Sequence, residues 1–121
     1  MNQRKILIID DEDVICQACK MVLNEEAFLC DHSLSGAEGL EMALSDAYDL
    51  VLLDMKLKDM DGMEILAAIK KENPQIHVIV ITGYSTLANT VKAMKLGAND
   101  YLSKPFSEKE LIDAVQQIFN D

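Results

Sequence analysis

Tyr48-Asp49-Leu50-Val51-Leu52-Leu53-Asp54 is a continuous apolar run that ends on a carboxylate. A strand with one wet face alternates apolar and polar residues. A run that is apolar at every position suits a strand buried on both faces of a parallel sheet. Lys5-Ile6-Leu7-Ile8-Ile9-Asp10 and Ile76-His77-Val78-Ile79-Val80-Ile81-Thr82 have the same form. Two weaker runs, Ala27-Phe28-Leu29-Cys30-Asp31-His32 and Asp100-Tyr101-Leu102, bring the number of strands to five.

Helical periodicity fills the intervals. Residues 13–26 carry Ile15, Ala18, Cys19 and Val22 at three-to-four spacing, and residues 36–46 carry Ala37, Leu40 and Leu44 behind Ser35 as a cap. Residues 62–72 carry Ile65, Leu66 and Ile69 and are stopped by Asn73-Pro74. Residues 85–96 carry Leu87, Val91 and Met94 and close at Gly97. Residues 108–119 carry Leu111, Ile112, Val115 and Ile118, with Ser107 and Glu110 spaced as a capping box.

Strand–helix repeated five times predicts an α/β fold, a five-stranded parallel sheet with helices on both faces and right-handed crossovers. The doubly wound, flavodoxin-like solution has strand order 2-1-3-4-5, with its crevice where the order reverses, between strands 1 and 3. This one fold uses the whole chain of 121 residues.

The formal net charge is -10, from 21 acidic and 11 basic residues. Such a surface repels nucleic-acid backbones and anionic lipid heads, so neither is an expected partner. No run approaches the roughly 20 apolar residues of a membrane helix, and the reading is a cytoplasmic protein. Three cysteines, Cys16, Cys19 and Cys30, argue against a disulfide framework. Cys16-x-x-Cys19 has a redox or zinc spacing, but it lies in a helical pattern without a second ligand pair; the packing reading is preferred.

Polar residues close the buried runs: Asp10-Asp11 after the first, Asp54 after the third, Thr82 after the fourth, and Lys104 just past the fifth. A parallel sheet puts all carboxyl ends on one edge, so these residues converge. Any one of them alone reads equally well as a cap or a solvated loop end. Together, three carboxylates in one crevice repel unless a cation relieves them. Magnesium takes one or two carboxylates, several waters and a phosphate oxygen, so Asp10, Asp11 and Asp54 suit an open site rather than a closed one. A metal ion, the Lys104 ammonium and the Thr82 hydroxyl around one carboxylate are what phosphoryl transfer to that carboxylate requires.

The pattern Asp10-Asp11 … Asp54 … Thr82-Gly83 … Tyr101 … Lys104-Pro105 resembles the receiver domain of bacterial two-component response regulators over essentially all of residues 1–121. The stretches Ile81 to Thr86 and Ala98 to Phe106 look most like receivers of the nitrogen-regulator type. The resemblance implies that Asp54 accepts the phosphoryl group from a histidine kinase or phosphotransfer protein. It implies a magnesium site of Asp10, Asp11, Asp54 and the Lys56 carbonyl, with Lys104 and Thr82 on the phosphoryl oxygens. It implies a cis Lys104-Pro105 peptide. It also implies a switch in which Thr82 is drawn to the phosphoryl group and Tyr101 moves inward, altering the face of the fourth helix, fifth strand and fifth helix. That face would signal to an output domain or a downstream protein, and a phosphorylation-dependent homodimer is compatible with it. Lys56 and Tyr84, two residues after Asp54 and Thr82, hold positions that flank the path of the hydrolytic water in this family and are expected to lengthen the phosphoryl lifetime. The self-phosphorylation and slow self-dephosphorylation expected here do not make the chain an enzyme.

One position departs from the family pattern: Lys58 stands where a proline is usual, so the loop from Lys56 to Gly62 is expected to be less rigid. The chain ends just after the fifth helix, which leaves a stand-alone receiver and a piece of a longer transcriptional regulator as alternatives. Three rival classes remain. A flavin protein would need a phosphate cradle where Asp10-Asp11-Glu12-Asp13 stands. An aspartate-nucleophile phosphatase would carry its acid after the first strand. A degenerate receiver would act only as a protein-interaction module.

Overall fold

A computed structural model describes residues 3–120. Ten elements alternate: β1 (Lys5–Ile9), α1 (Asp13–Glu25), β2 (Leu29–Ser33), α2 (Gly36–Ser45), β3 (Leu50–Asp54), α3 (Gly62–Glu72), β4 (His77–Thr82), α4 (Leu87–Lys95), β5 (Asp100–Ser103) and α5 (Glu108–Phe119). The strands form one sheet, β2-β1-β3-β4-β5, and every pairing is parallel. The expected α/β architecture and strand order are the observed ones.

Continuous apolar strands follow from a sheet covered on both sides. Leu7, Ile9, Val51, Leu53, Val78 and Val80 face one layer, where they pack with Ala43, Ile65, Leu66, Ile69 and Ala93. Their sequence neighbours Ile6, Ile8, Leu50, Leu52, Ile79 and Ile81 face the other, against Cys16, Cys19, Leu23, Leu111 and Val115. The cysteines are free, and Cys16 and Cys19 are buried. Burial pushes both thiols up to about 12, which keeps them protonated and unreactive.

Helix ends obey the local chemistry. The Ser35 hydroxyl accepts from the Glu38 N–H, and Ser107 and Glu110 make a full capping box. Asn73 caps the end of α3, and Gly97, at φ 105°, follows α4 in the left-handed conformation. The Lys104-Pro105 peptide is cis, as expected.

Four details differ from the sequence reading. β2 begins at Leu29 rather than Ala27, because Ala27 sits at φ 69° and turns the chain out of α1. On α1, Ala18 is exposed and the buried stripe is Cys16, Cys19, Val22 and Leu23. α2 buries Gly36, Gly39 and Ala43, while Ala37 and Leu44 face outward. A Cβ on Gly39 would meet Ile9 at 2.8 Å, so this helix lies against β1 closer than a larger residue allows. α4 begins at Leu87, capped by Thr86, and buries only Ala93; Leu87, Val91 and Met94 are exposed.

Candidate functional site

The parallel sheet brings the ends of β1, β3 and β4 to one edge. Asp10, fully buried, follows β1; Asp54 and Thr82 close β3 and β4 and are almost completely buried. Lys104, just after β5, reaches between the first two carboxylates. Its Nζ lies 2.8 Å from Asp10 Oδ2 and 3.3 Å from Asp54 Oδ2, with Glu12 Oε1 at 3.7 Å. The remaining oxygens are held by backbone. The Glu12 N–H donates to Asp10 Oδ1 (2.9 Å), and the Lys56 N–H to Asp54 Oδ1 (3.1 Å).

These contacts set the electrostatics. Burial raises the Asp54 carboxyl; the Lys56 N–H opposes that, Asp10 adds to it, and Lys104 works against it, with a net upward shift. Burial acts to lower Lys104, but its bonds to Asp10 and its proximity to Asp54 outweigh this and hold the ammonium above its ordinary value. The site is therefore acidic, buried at Asp10 and Asp54, and already centred on one cation.

Ligand oxygens of Asp10, Asp11 and Glu12 lie within 4.8 Å of one another. An all-oxygen set of this kind suits a hard divalent cation. The sequence reading grouped Asp10, Asp11, Asp54 and Lys56. Asp54 is tied to Asp10 through Lys104, and the Lys56 N–H donates to Asp54. Glu12 was not singled out from sequence; it is exposed, and its place beside two acids was its only signal.

Thr82, Lys56, Tyr84 and Tyr101 line a neighbouring cleft of about 210 Å3. The Thr82 hydroxyl accepts from the Tyr84 N–H at 3.0 Å, and the Lys104 N–H donates to the Thr82 carbonyl at 2.8 Å. The Lys56 ammonium lies 4.5 Å from the centre of the Tyr84 ring. Tyr101 is half-buried and packs against the core, and its hydroxyl is buried without a hydrogen-bond partner.

The loop after β3 is tied down despite its lysine. The Lys58 N–H donates to Asp11 Oδ2 at 3.1 Å. Asp59 accepts from the Gly36 and Ala37 N–H groups and the Ser35 hydroxyl, so it caps α2 from outside. The Ala37 and Gly36 N–H groups hold its carboxyl below the usual range.

Comparison with known proteins points the same way. Residues 6–116 match the family model described as response regulator receiver domain. The transcriptional regulatory protein SrrA of Staphylococcus aureus is 36% identical over 114 residues, 94% of this chain and 47% of its own length. The chain spans about half the length of the curated relatives it matches. A solved receiver domain protein (CheY-like) from Methanospirillum hungatei superposes with a TM-score of 0.93 at 32% identity, covering 96% of this chain and 93% of its own. A receiver domain protein from Clostridium thermocellum gives 0.89 at 39% identity, over 97% and 94%. A five-stranded sheet that gathers Asp10, Asp54, Thr82 and Lys104 at one edge, matched over most of its length by these relatives, belongs to the response regulator receiver domain family.

Proposed function

We propose that this chain takes a phosphoryl group from a histidine kinase or phosphotransfer protein onto Asp54. The observation that carries the reading is Lys104 Nζ lying between Asp10 and Asp54. In the transfer, an Asp54 oxygen attacks phosphorus, the phosphorus–nitrogen bond of the donor breaks, and the imidazole leaves. Lys104 pairs with the phosphoryl oxygens, and the Thr82 hydroxyl turns from the Tyr84 N–H to donate to them. Asp10, Asp11 and Asp54, with the Lys56 carbonyl, hold magnesium, which when bound neutralises charge on the transferred group. Glu12, beside Asp10 and Asp11, adds to the negative charge that attracts the cation. The chain is a cytoplasmic signalling module rather than an enzyme acting on a separate substrate. Its output passes through α4, β5 and α5 to a partner or to the output domain of a transcriptional regulator, with Thr82 and Tyr101 as the switch; a phosphorylation-dependent homodimer is one such output. Among the described residues no helix is long and apolar enough to cross a membrane.

Intact-mass spectrometry after acetyl phosphate and magnesium tests the reading. Wild type is expected to gain one phosphate and Asp54→Asn none. An unlabelled wild type would point instead to a degenerate receiver acting as an interaction module.

The Lys56–Tyr84 contact supports a long-lived phosphoryl group, because the two side chains meet in the cleft lined by Thr82, where they stand in the way of an approaching water. An exposed cation–π contact contributes about 0.5–1 kcal/mol. Tyr84→Ala is therefore expected to quicken dephosphorylation about 2- to 5-fold, measured by decay of the labelled mass. An unchanged decay would mean that neither side chain obstructs water.

A further inference from the structure

A backbone hydrogen bond joins two segments 47 residues apart: the Lys58 N–H donates to Asp11 Oδ2 at 3.1 Å. Lys58 is exposed, and its loop is held from the other side by Asp59 on the N-terminus of α2. The donor is therefore fixed by the fold and not by its own side chain. With this bond made, the ligand oxygens of Asp10, Asp11 and Glu12 already lie within 4.8 Å of one another. A carboxylate has about four lone-pair sites, so one N–H leaves the others open to a cation. Without the N–H, repulsion from Asp10 and Glu12 would favour turning Asp11 out to solvent.

We infer that Lys58 is a positioning residue, whose backbone N–H latches the Asp11 carboxylate in the posture that receives a divalent cation. The inference rests on the cation reading proposed above. Only a residue with a backbone N–H can make this latch, and proline cannot. The loop's missing proline thus has a physical consequence other than looseness: a donor is present where proline would have none.

The test is the magnesium affinity of the unphosphorylated protein, measured by titration calorimetry with magnesium chloride. The quantity read is the Kd of Lys58→Pro divided by that of Lys58→Ala. Both variants lose the ammonium, and only the first loses the N–H. Partners that orient a metal ligand contribute about 10- to 100-fold in affinity, and one bond at a partly exposed carboxylate belongs at the low end, so a ratio of about 10 is expected. A ratio of one or less overturns the latch. Absence of magnesium binding by wild type would overturn the cation reading itself, which separates the two failures. Amide hydrogen exchange on wild type needs no variant. The Lys58 amide is expected to be protected both without magnesium and at saturation, and loss of protection at saturation would show the bond breaking as the cation enters, against the inference.

Discussion

Lys104→Met is expected to be the most destabilising substitution that leaves the packing of the site nearly unchanged. It removes the one cation among the described residues that touches both Asp10 and Asp54, whose side chains are 0% and 5% exposed. Breaking a buried ion pair from one side costs about 3–5 kcal/mol, because the other charge stays buried. That is a large share of a typical domain's stability of about 5–15 kcal/mol. The loss carries a pH signature. The Asp54 carboxyl is raised in the folded state, by burial first, so the folded protein holds that proton more tightly than the unfolded chain. Stability from this group is therefore greatest at low pH and falls as pH rises from the unfolded value through the folded one. Lys104 works against the upward shift, and removing it widens the window toward neutrality. Urea denaturation should show a deficit that is larger at pH 7 than at pH 5. Magnesium should recover much of it, since a ligand at 100 times its Kd stabilises by about 2.7 kcal/mol. It should also bind the variant more tightly than wild type, because the ammonium no longer shares Asp10. A Lys104→Met protein as stable as wild type at pH 7 and indifferent to magnesium would mean that the lysine does not compensate the acids.

Much of this site could be read from the letters alone, for a definite reason. In a parallel sheet, strand direction decides which edge a residue reaches, and the runs ending at Asp10, Asp54 and Thr82 declare both strand and end. What escaped were features with no side-chain signature. The Lys58 latch and the Lys56 bond to Asp54 use backbone N–H groups, which every residue but proline carries. α2 was read with Ala37 and Leu44 inward because glycines do not count as apolar in a periodicity. Gly36 and Gly39 make the buried face because they have no side chain, letting the helix settle onto Ile9. On α4 the periodicity was real and the inference from it was not. Leu87, Val91 and Met94 share spacing but face solvent, and a stripe at helical spacing says only that one face is apolar. Ala27 in the left-handed conformation broke the β2 boundary, since alanine gives no warning of a turn that glycine would have announced.

Gly62→Ala is expected to be the most damaging single-methyl addition in the chain. A Cβ on Gly62 would sit 2.6 Å from the Asp54 carbonyl oxygen and 2.6 Å from Met55 Cα, and both are backbone atoms that cannot rotate away. Gly62 opens α3, and its N–H donates to the Met55 carbonyl at 3.1 Å, so the helix start is bonded to the strand end it touches. The Asp61 side chain caps that start through the Met63 N–H at 2.9 Å. Relieving the clash requires moving α3 off β3 or moving the backbone of Asp54 itself. Overpacking a well-filled site costs about 1–3 kcal/mol, and a clash with fixed backbone on a helix held by a cap and a bond belongs at or above the top of that range. The other glycines supply the scale. A Cβ on Gly83 meets nothing within 4 Å, so Gly83→Ala should be nearly neutral. On Gly39 the nearest atoms are all of the Ile9 side chain, at 2.8–2.9 Å, so Gly39→Ala should fall between. Urea midpoints at constant slope should rank Gly83→Ala above Gly39→Ala above Gly62→Ala. Gly62→Ala should also take up phosphate from acetyl phosphate more slowly than Gly39→Ala, both measured where each variant is fully folded, because only the former displaces the acceptor's own backbone. Equal rates in the two would confine the role of Gly62 to packing and detach it from the chemistry at Asp54.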